Sequence, residues 1–182
     1  FLLSTRVAHI MNKMKCSDNK EAKISMLNKL DDLTTSSETI PLPPFTFDQE
    51  KKKYHERLPA AQKFILDNKL NEFFDGEEKS IGIITHGMIY NSLLRCLYNL
   101  GEATLYGEAR LPILNLNATY PLVPEEIILF LRDKKAVLIV EEGMPNLIEE
   151  QIRSIAQRAK LGLDIFGKDL LPKAGEYTPD HI

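Results

Sequence analysis

Two apolar runs stop abruptly at short polar loops. Ile81-Gly-Ile-Ile is followed by Thr85, His86 and Gly87, and Ala136-Val-Leu-Ile-Val by Glu141, Glu142 and Gly143. Neither run alternates, and unbroken aliphatic runs mean that both faces of a strand are covered, as in a parallel sheet between helix layers. From Ser80 onward the pattern repeats. A strand over 81–85 precedes a helix over Met88–Leu100, which carries Ile89, Leu93, Leu94, Leu97 and Leu100 and stops at Gly101. A strand over 111–116, a helix from Pro124 to about Arg132, a strand over 136–140, a helix over 146–159 and a short strand over 163–166 follow. Such alternation predicts βαβ units with right-handed crossovers, in an α/β fold of three α/β/α layers around a mostly parallel sheet. In these sheets function collects at the carboxyl ends of the strands. Thr85, His86, Gly87, Glu141, Glu142 and Gly143 are therefore the candidate ligand or interface residues.

The chain before Ser80 reads differently. Residues 1–10 have a strand's composition with no neighbour to pair with. Residues 11–40 are polar, with only Ile24, Leu27, Leu30 and Leu33 in a weak helical stripe. Pro41, Pro43 and Pro44 predict an extended, polyproline-like stretch, which Phe45 and Phe47 pin to a neighbouring surface. A helix is expected to start after Pro59, to carry Phe64, Ile65, Leu66, Leu70, Phe73 and Phe74, and to end at Asp75-Gly76. Three parts result: 1–10, a linker over 11–58, and an α/β domain over 59–182.

Composition mainly excludes. The net charge of −3 comes from 23 basic and 26 acidic residues mixed along the 182-residue chain, so no field of one sign draws nucleic acid or an anionic membrane; Lys51, Lys52 and Lys53 read as a solvated face. No apolar stretch is long enough to span a bilayer and no signal peptide opens the chain, which predicts a cytoplasmic location. Cys16 and Cys96 lack C-x-x-C partners and read as reduced thiols, so no metal site is expected. The opening Phe-Leu-Leu-Ser reads as a piece of something longer.

The candidate chemistry is sparse. The loop Thr85–Met88 could turn backbone amides toward an anion, but it has one glycine and no phosphate-cradling motif. His86 is placed for proton transfer or ligand contact, but a hydrogen-bonded loop histidine at a domain interface suits it better. Glu141 and Glu142 are adjacent on a strand and must point to opposite faces, so at most one serves a given site; a helix-end anchor or an interdomain salt bridge suits them better than acid–base work. Glu149 and Glu150 suit the first turn of the following helix. With no triad or metal-type pair, no catalytic residue is assigned.

Several motifs in order resemble a known family: Ser-Thr-Arg-Val-Ala-His near the start, Ile-Gly-Ile-Ile-Thr-His-Gly-Met-Ile-Tyr, Tyr-Pro-Leu-Val-Pro-Glu-Glu, Val-Leu-Ile-Val-Glu-Glu-Gly-Met-Pro-Asn, and Phe-Gly-Lys-Asp-Leu-Leu-Pro-Lys-Ala-Gly-Glu-Tyr. Together they are similar to the central part of the large (alpha) subunit of indolepyruvate ferredoxin oxidoreductases. The resemblance implies a transketolase C-terminal-like domain of flavodoxin-like topology, with residues 1–10 as the end of a truncated thiamine-diphosphate domain. It implies, for the complete enzyme, oxidative decarboxylation of an aryl 2-oxo acid to an acyl-coenzyme A with electrons passed to ferredoxin. Thiamine diphosphate, magnesium and iron–sulfur clusters would lie in other domains, and a small subunit would be a partner. His86 departs from the family pattern, where a small residue such as Ser is usual. The glutamate that activates the cofactor, the Gly-Asp-Gly metal motif and the cluster cysteines are missing, so this chain alone is expected to bind no cofactor and to be inactive. Self-association through Phe1–Val7, Phe45 and Phe47 is expected in place of lost partner domains. The alternative is a self-standing flavodoxin-like module that binds coenzyme A or another anion at Thr85–Met88.

Overall fold

The computed structural model describes residues 42–182. The expected strand over 1–10 and the weak stripe over 24–33 lie outside the described residues. The elements are α1 (Phe45–Lys52), a wider π-type turn over Lys53–Arg57, α2 (Leu58–Asp67), β1 (Glu72–Phe74), β2 (Ile81–His86), α3 (Ile89–Asn99), β3 (Ile113–Leu116), α4 (Pro124–Leu131), β4 (Ala136–Val140), α5 (Leu147–Arg158) and β5 (Asp164–Phe166). The sheet order is β1-β3-β2-β4-β5. β2, β3, β4 and β5 pair in parallel, whereas β1 runs antiparallel along the outer edge of β3.

Alternate residues of each strand feed two cores. Ile84, Leu114, Leu116, Val137 and Ile139 face one side, against Ile127, Phe130 and Leu131 of α4 and Ile148, Ile152 and Ala156 of α5. Ile83, Ile113 and Val140 face the other, against Ile89, Leu93 and Leu97 of α3 and against Leu171 and Tyr177 of the C-terminal segment. Two covered faces favour apolar residues at successive positions, which is why β4 and the first part of β2 read as continuous apolar runs. The three-layer α/β fold with a mostly parallel sheet is as expected.

Two local expectations are corrected. The Pro41–Pro44 stretch does not lead into extended chain: a helix begins at Phe45 and runs through Pro59 to Asp67. Proline suits the entry to a helix because its fixed φ is already helical. Pro59 would clash with the carbonyl of the preceding turn in a regular helix. The wider turn before it, where Leu58 N–H reaches Lys53 O, relieves that conflict. Phe47 does not pin the chain among the described residues, being 69% exposed.

The second correction concerns Phe73 and Phe74, which lie in β1 and not in a helix ending at Gly76. α2 ends at Asn68–Lys69, with Lys69 in the left-handed region (φ 49°). Leu70 N–H bonds Ile65 O and Lys69 N–H bonds Leu66 O, the two bonds of a Schellman ending. A lysine at the position usually held by glycine hides this stop from a reading of the chain.

Gly76 instead permits a close approach of two backbone segments. A Cβ there would sit 2.5 Å from Arg110 O, Leu111 C and Pro112 N. Gly76→Ala is therefore expected to lower stability by about 2–3 kcal/mol. A urea midpoint equal to that of the parent chain would refute this close approach.

Candidate functional site

β2 hands the chain to α3 on one face, and β4, its neighbour, hands it to α5 on the other. The carboxyl ends of β2 and β4 therefore flank a topological switch point, the place where open α/β sheets form a crevice. Thr85 is in register with Val140, so the two polar loops stand side by side. Gly87 (φ 50°) and Gly143 (φ 80°) turn the chain away from the strand ends through left-handed conformations.

Each candidate side chain has a definite place. Glu141 is buried and turns toward α5, where its carboxylate accepts Ile148 N–H at 3.0 and 3.1 Å and Glu149 N–H at 3.0 Å. Asn146, at the cap position of that helix, makes no side-chain cap bond, so the strand-end carboxylate does the capping. Glu142 turns to the other face and accepts Tyr177 N–H at 3.1 Å. Thr85 is buried, and its hydroxyl donates to Val140 O at 3.3 Å. Gly87 N–H donates to Leu116 O at 3.2 Å, so that amide is already bonded.

The C-terminal segment adds Lys168 and Tyr177, which the sequence marked only as part of a resembling motif and not as site residues. Lys168 is only 5% exposed, and its ammonium donates to Tyr177 Oη at 2.6 Å and to Pro172 O at 3.3 Å while lying 4.4 Å from the Tyr177 ring centroid. Its backbone N–H donates to Glu149 Oε2 at 3.0 Å, and Arg153 grips the other oxygen at 3.0 and 2.8 Å. Burial works to raise the Glu149 carboxyl, but the Lys168 amide and the Arg153 guanidinium together hold it below the usual range.

A second unmarked group is a polar row. Glu72 of β1, Asn115 of β3 and Thr85 of β2 are in register across the sheet. Asn115 Nδ2 lies 3.2 Å from Asn117 Oδ1 and 3.4 Å from Glu72 Oε2, and Asn117 Nδ2 donates to that same carboxylate oxygen at 2.9 Å. A hint existed in the chain, since Asn115 interrupts the apolar run Pro112-Ile-Leu-Asn-Leu.

Two buried side-chain polar atoms lack a partner among the described residues, His86 Nε2 and Asn115 Oδ1, and both lie at the strand ends. Burial pushes the His86 imidazole below its ordinary value; Glu141 and Glu142 pull it back up and Lys168 adds to the lowering. Above about pH 6.5 the ring is neutral in both states and contributes nothing; as pH falls below that value the unfolded chain takes the proton first, so the fold weakens until the native ring also protonates. Stability is thus expected to decline as pH falls below about 6.5, and His86→Ser is expected to flatten that decline. Parallel acid-unfolding curves for both chains would overturn the assignment.

The crest does not fit a thiamine diphosphate with its magnesium ion. The α5 amides that could seat a phosphate are taken by Glu141, and among the described residues no trio of His, Cys, Asp or Glu could hold a metal ion. Cys96 is buried and its thiol is pushed up by burial, the opposite of what a cluster ligand needs. No helix of the described residues is long and apolar enough to cross a membrane.

The mostly parallel sheet between two helix layers, with polar loops at its switch point, defines the class as an α/β domain. Among solved structures, 76% of the chain matches 22% of a 2-oxoglutarate:ferredoxin oxidoreductase from Magnetococcus marinus, with a TM-score of 0.50 and 17% identity. A split-gene transketolase matches over 60% of this chain and 35% of its own, at a TM-score of 0.44 and 16% identity. The chain is similar to indolepyruvate oxidoreductase subunit IorA of Methanothermobacter thermautotrophicus, 33% identical over 117 residues, or 63% of this chain. The IorA subunits of Pyrococcus horikoshii and Thermococcus kodakarensis are 32% and 29% identical over 71% and 70% of it. The chain spans only 18–19% of the length of these relatives. No family model matches it.

Proposed function

We propose that this chain is an α/β domain of a thiamine-diphosphate-dependent 2-oxo acid:ferredoxin oxidoreductase of the indolepyruvate type, and that it positions the cofactor domains without performing the chemistry. The observation that carries this reading is the similarity to IorA subunits, 29–33% identical over 63–71% of the chain. The crest supports the division of labour: Glu141 caps a helix, Glu142 holds the C-terminal segment and Lys168 is bound to Tyr177. In the complete enzyme an aryl 2-oxo acid would be oxidatively decarboxylated to an acyl-coenzyme A. Residues 1–10 would close one thiamine-diphosphate domain, 11–58 would link it to the α/β domain over 59–182, and a small subunit and ferredoxin would be partners. The clusters, magnesium and cofactor would be held by those other parts.

Calorimetric titration with thiamine diphosphate and magnesium tests the division. No saturable heat is expected up to about 1 mM ligand, and micromolar binding would overturn it. The alternative, a coenzyme A or anion site at Thr85–Met88, draws less support, because Gly87 N–H is bonded to Leu116 O and Glu141 and Glu142 both lie close enough to act on the neighbouring His86.

A further inference from the structure

At the opposite end of the sheet, where β2, β3 and β4 begin, lies a groove of about 340 Å³ between β1 and α4. That volume is at the lower end of what small-molecule sites enclose. Its apolar wall is built from both elements: the Phe73 and Phe130 rings meet at 6.3 Å between centroids, and Leu129 lies beside them. Phe73 is 47% and Leu129 53% exposed, so apolar surface faces into the opening.

The charges on the rim are unequal in their partners. Lys79 pairs with Asp75, and Asp133 takes Arg132 at 3.3 Å. Lys134 pairs with no carboxylate of the described residues. Its ammonium rests 4.6 Å from the Phe130 ring centroid and donates to Lys79 O at 3.3 Å. Burial, and then Lys79, push this amine below its ordinary value, while Asp133 and Asp75 on the same rim pull it partly back without contacting it. The stem is held firmly, since a Cβ on buried Gly82 would fall 2.6 Å from Lys134 Cε and 2.9 Å from Phe130 Cζ. A fixed cation, half withdrawn from water beside two aromatic rings, is the arrangement that binds a single negative charge carried on an apolar body.

We propose that this groove binds a small apolar carboxylate, with the carboxylate on Lys134 Nζ and the apolar body against Phe73 and Leu129. The site is separate from the crest and independent of the domain's proposed role. With no tryptophan and six tyrosines, a naphthyl probe excited beyond the tyrosine absorption band is read against little protein emission. In a titration with 2-naphthoate, saturable binding is expected. Neutral 2-naphthamide is expected to bind about tenfold more weakly, and Lys134→Gln to weaken naphthoate about tenfold while leaving the amide unchanged. Leu129→Asp, at an exposed position, is expected to abolish binding of both and serves if Lys134→Gln fails to fold by circular dichroism. Non-saturable naphthoate binding, equal affinity for acid and amide, or full binding by Leu129→Asp would each overturn the proposal.

Discussion

Replacing Tyr177 with alanine is expected to lower the unfolding free energy by about 4 kcal/mol, the loss typical of a fully buried aromatic ring. Tyr177 is 1% exposed and belongs to the core that α3 forms with Ile83, Ile113 and Val140. It is also the point at which the C-terminal segment is tied to the sheet. Its N–H is held by Glu142, its hydroxyl donates to Pro172 O, and the buried Lys168 ammonium donates to that hydroxyl. Truncation therefore opens a cavity and leaves a buried cation with Pro172 O as its remaining hydrogen-bond acceptor. Tyr177→Phe separates these effects: the ring stays, and only the hydroxyl's bonds are lost, for about 1–2 kcal/mol. Urea unfolding gives both values. Hydrogen exchange adds the location, because the phenylalanine variant should loosen 167–182 while β2 and β4 stay protected. A Tyr177→Ala chain within about 1 kcal/mol of the parent would mean that this segment is not part of the core.

Glu141→Ala is expected to cost about 2–3 kcal/mol, since two N–H groups at the start of α5 lose their acceptor where water cannot readily replace it. The carboxylate also sits at the positive end of the helix, so Glu141→Gln, which keeps an acceptor oxygen, should lose only about 1 kcal/mol. Glu150, in the same first turn but exposed, supplies the control. If Glu150→Ala destabilises the chain as much as Glu141→Ala, the capping role assigned to the strand-end residue is wrong.

Three helix ends show where a reading of the chain succeeds and fails. α3, α2 and α5 all close with the same pair of backbone bonds, around Gly101, Lys69 and Lys160, each of which has positive φ. Gly101 marked its stop because glycine reaches that conformation without a steric penalty, and the end of α5 at Ala159 was also placed, whereas the exposed Lys69 gave no signal of its stop. The miss at Lys69 is what carried Phe73 and Phe74 into an imagined helix. The entry at Phe45 was missed for a related reason: prolines forbid a helix interior but not its first turn, and a wider turn can absorb Pro59.

The period of the apolar residues by itself determined the layered α/β fold, the parallel strands and the opposite facing of Glu141 and Glu142, since alternation along a strand is a local property of the backbone. It also located the strand-end loops. Only the tertiary structure decided what those loops do. The cap that Glu141 places on α5, the tie between Glu142 and Tyr177, the buried Lys168 and a His86 Nε2 that finds no partner among the described residues all depend on segments that the strand order brings together. β1 is the plainest case, because an antiparallel edge strand of three residues has too little pattern to be seen until β3 offers it a partner.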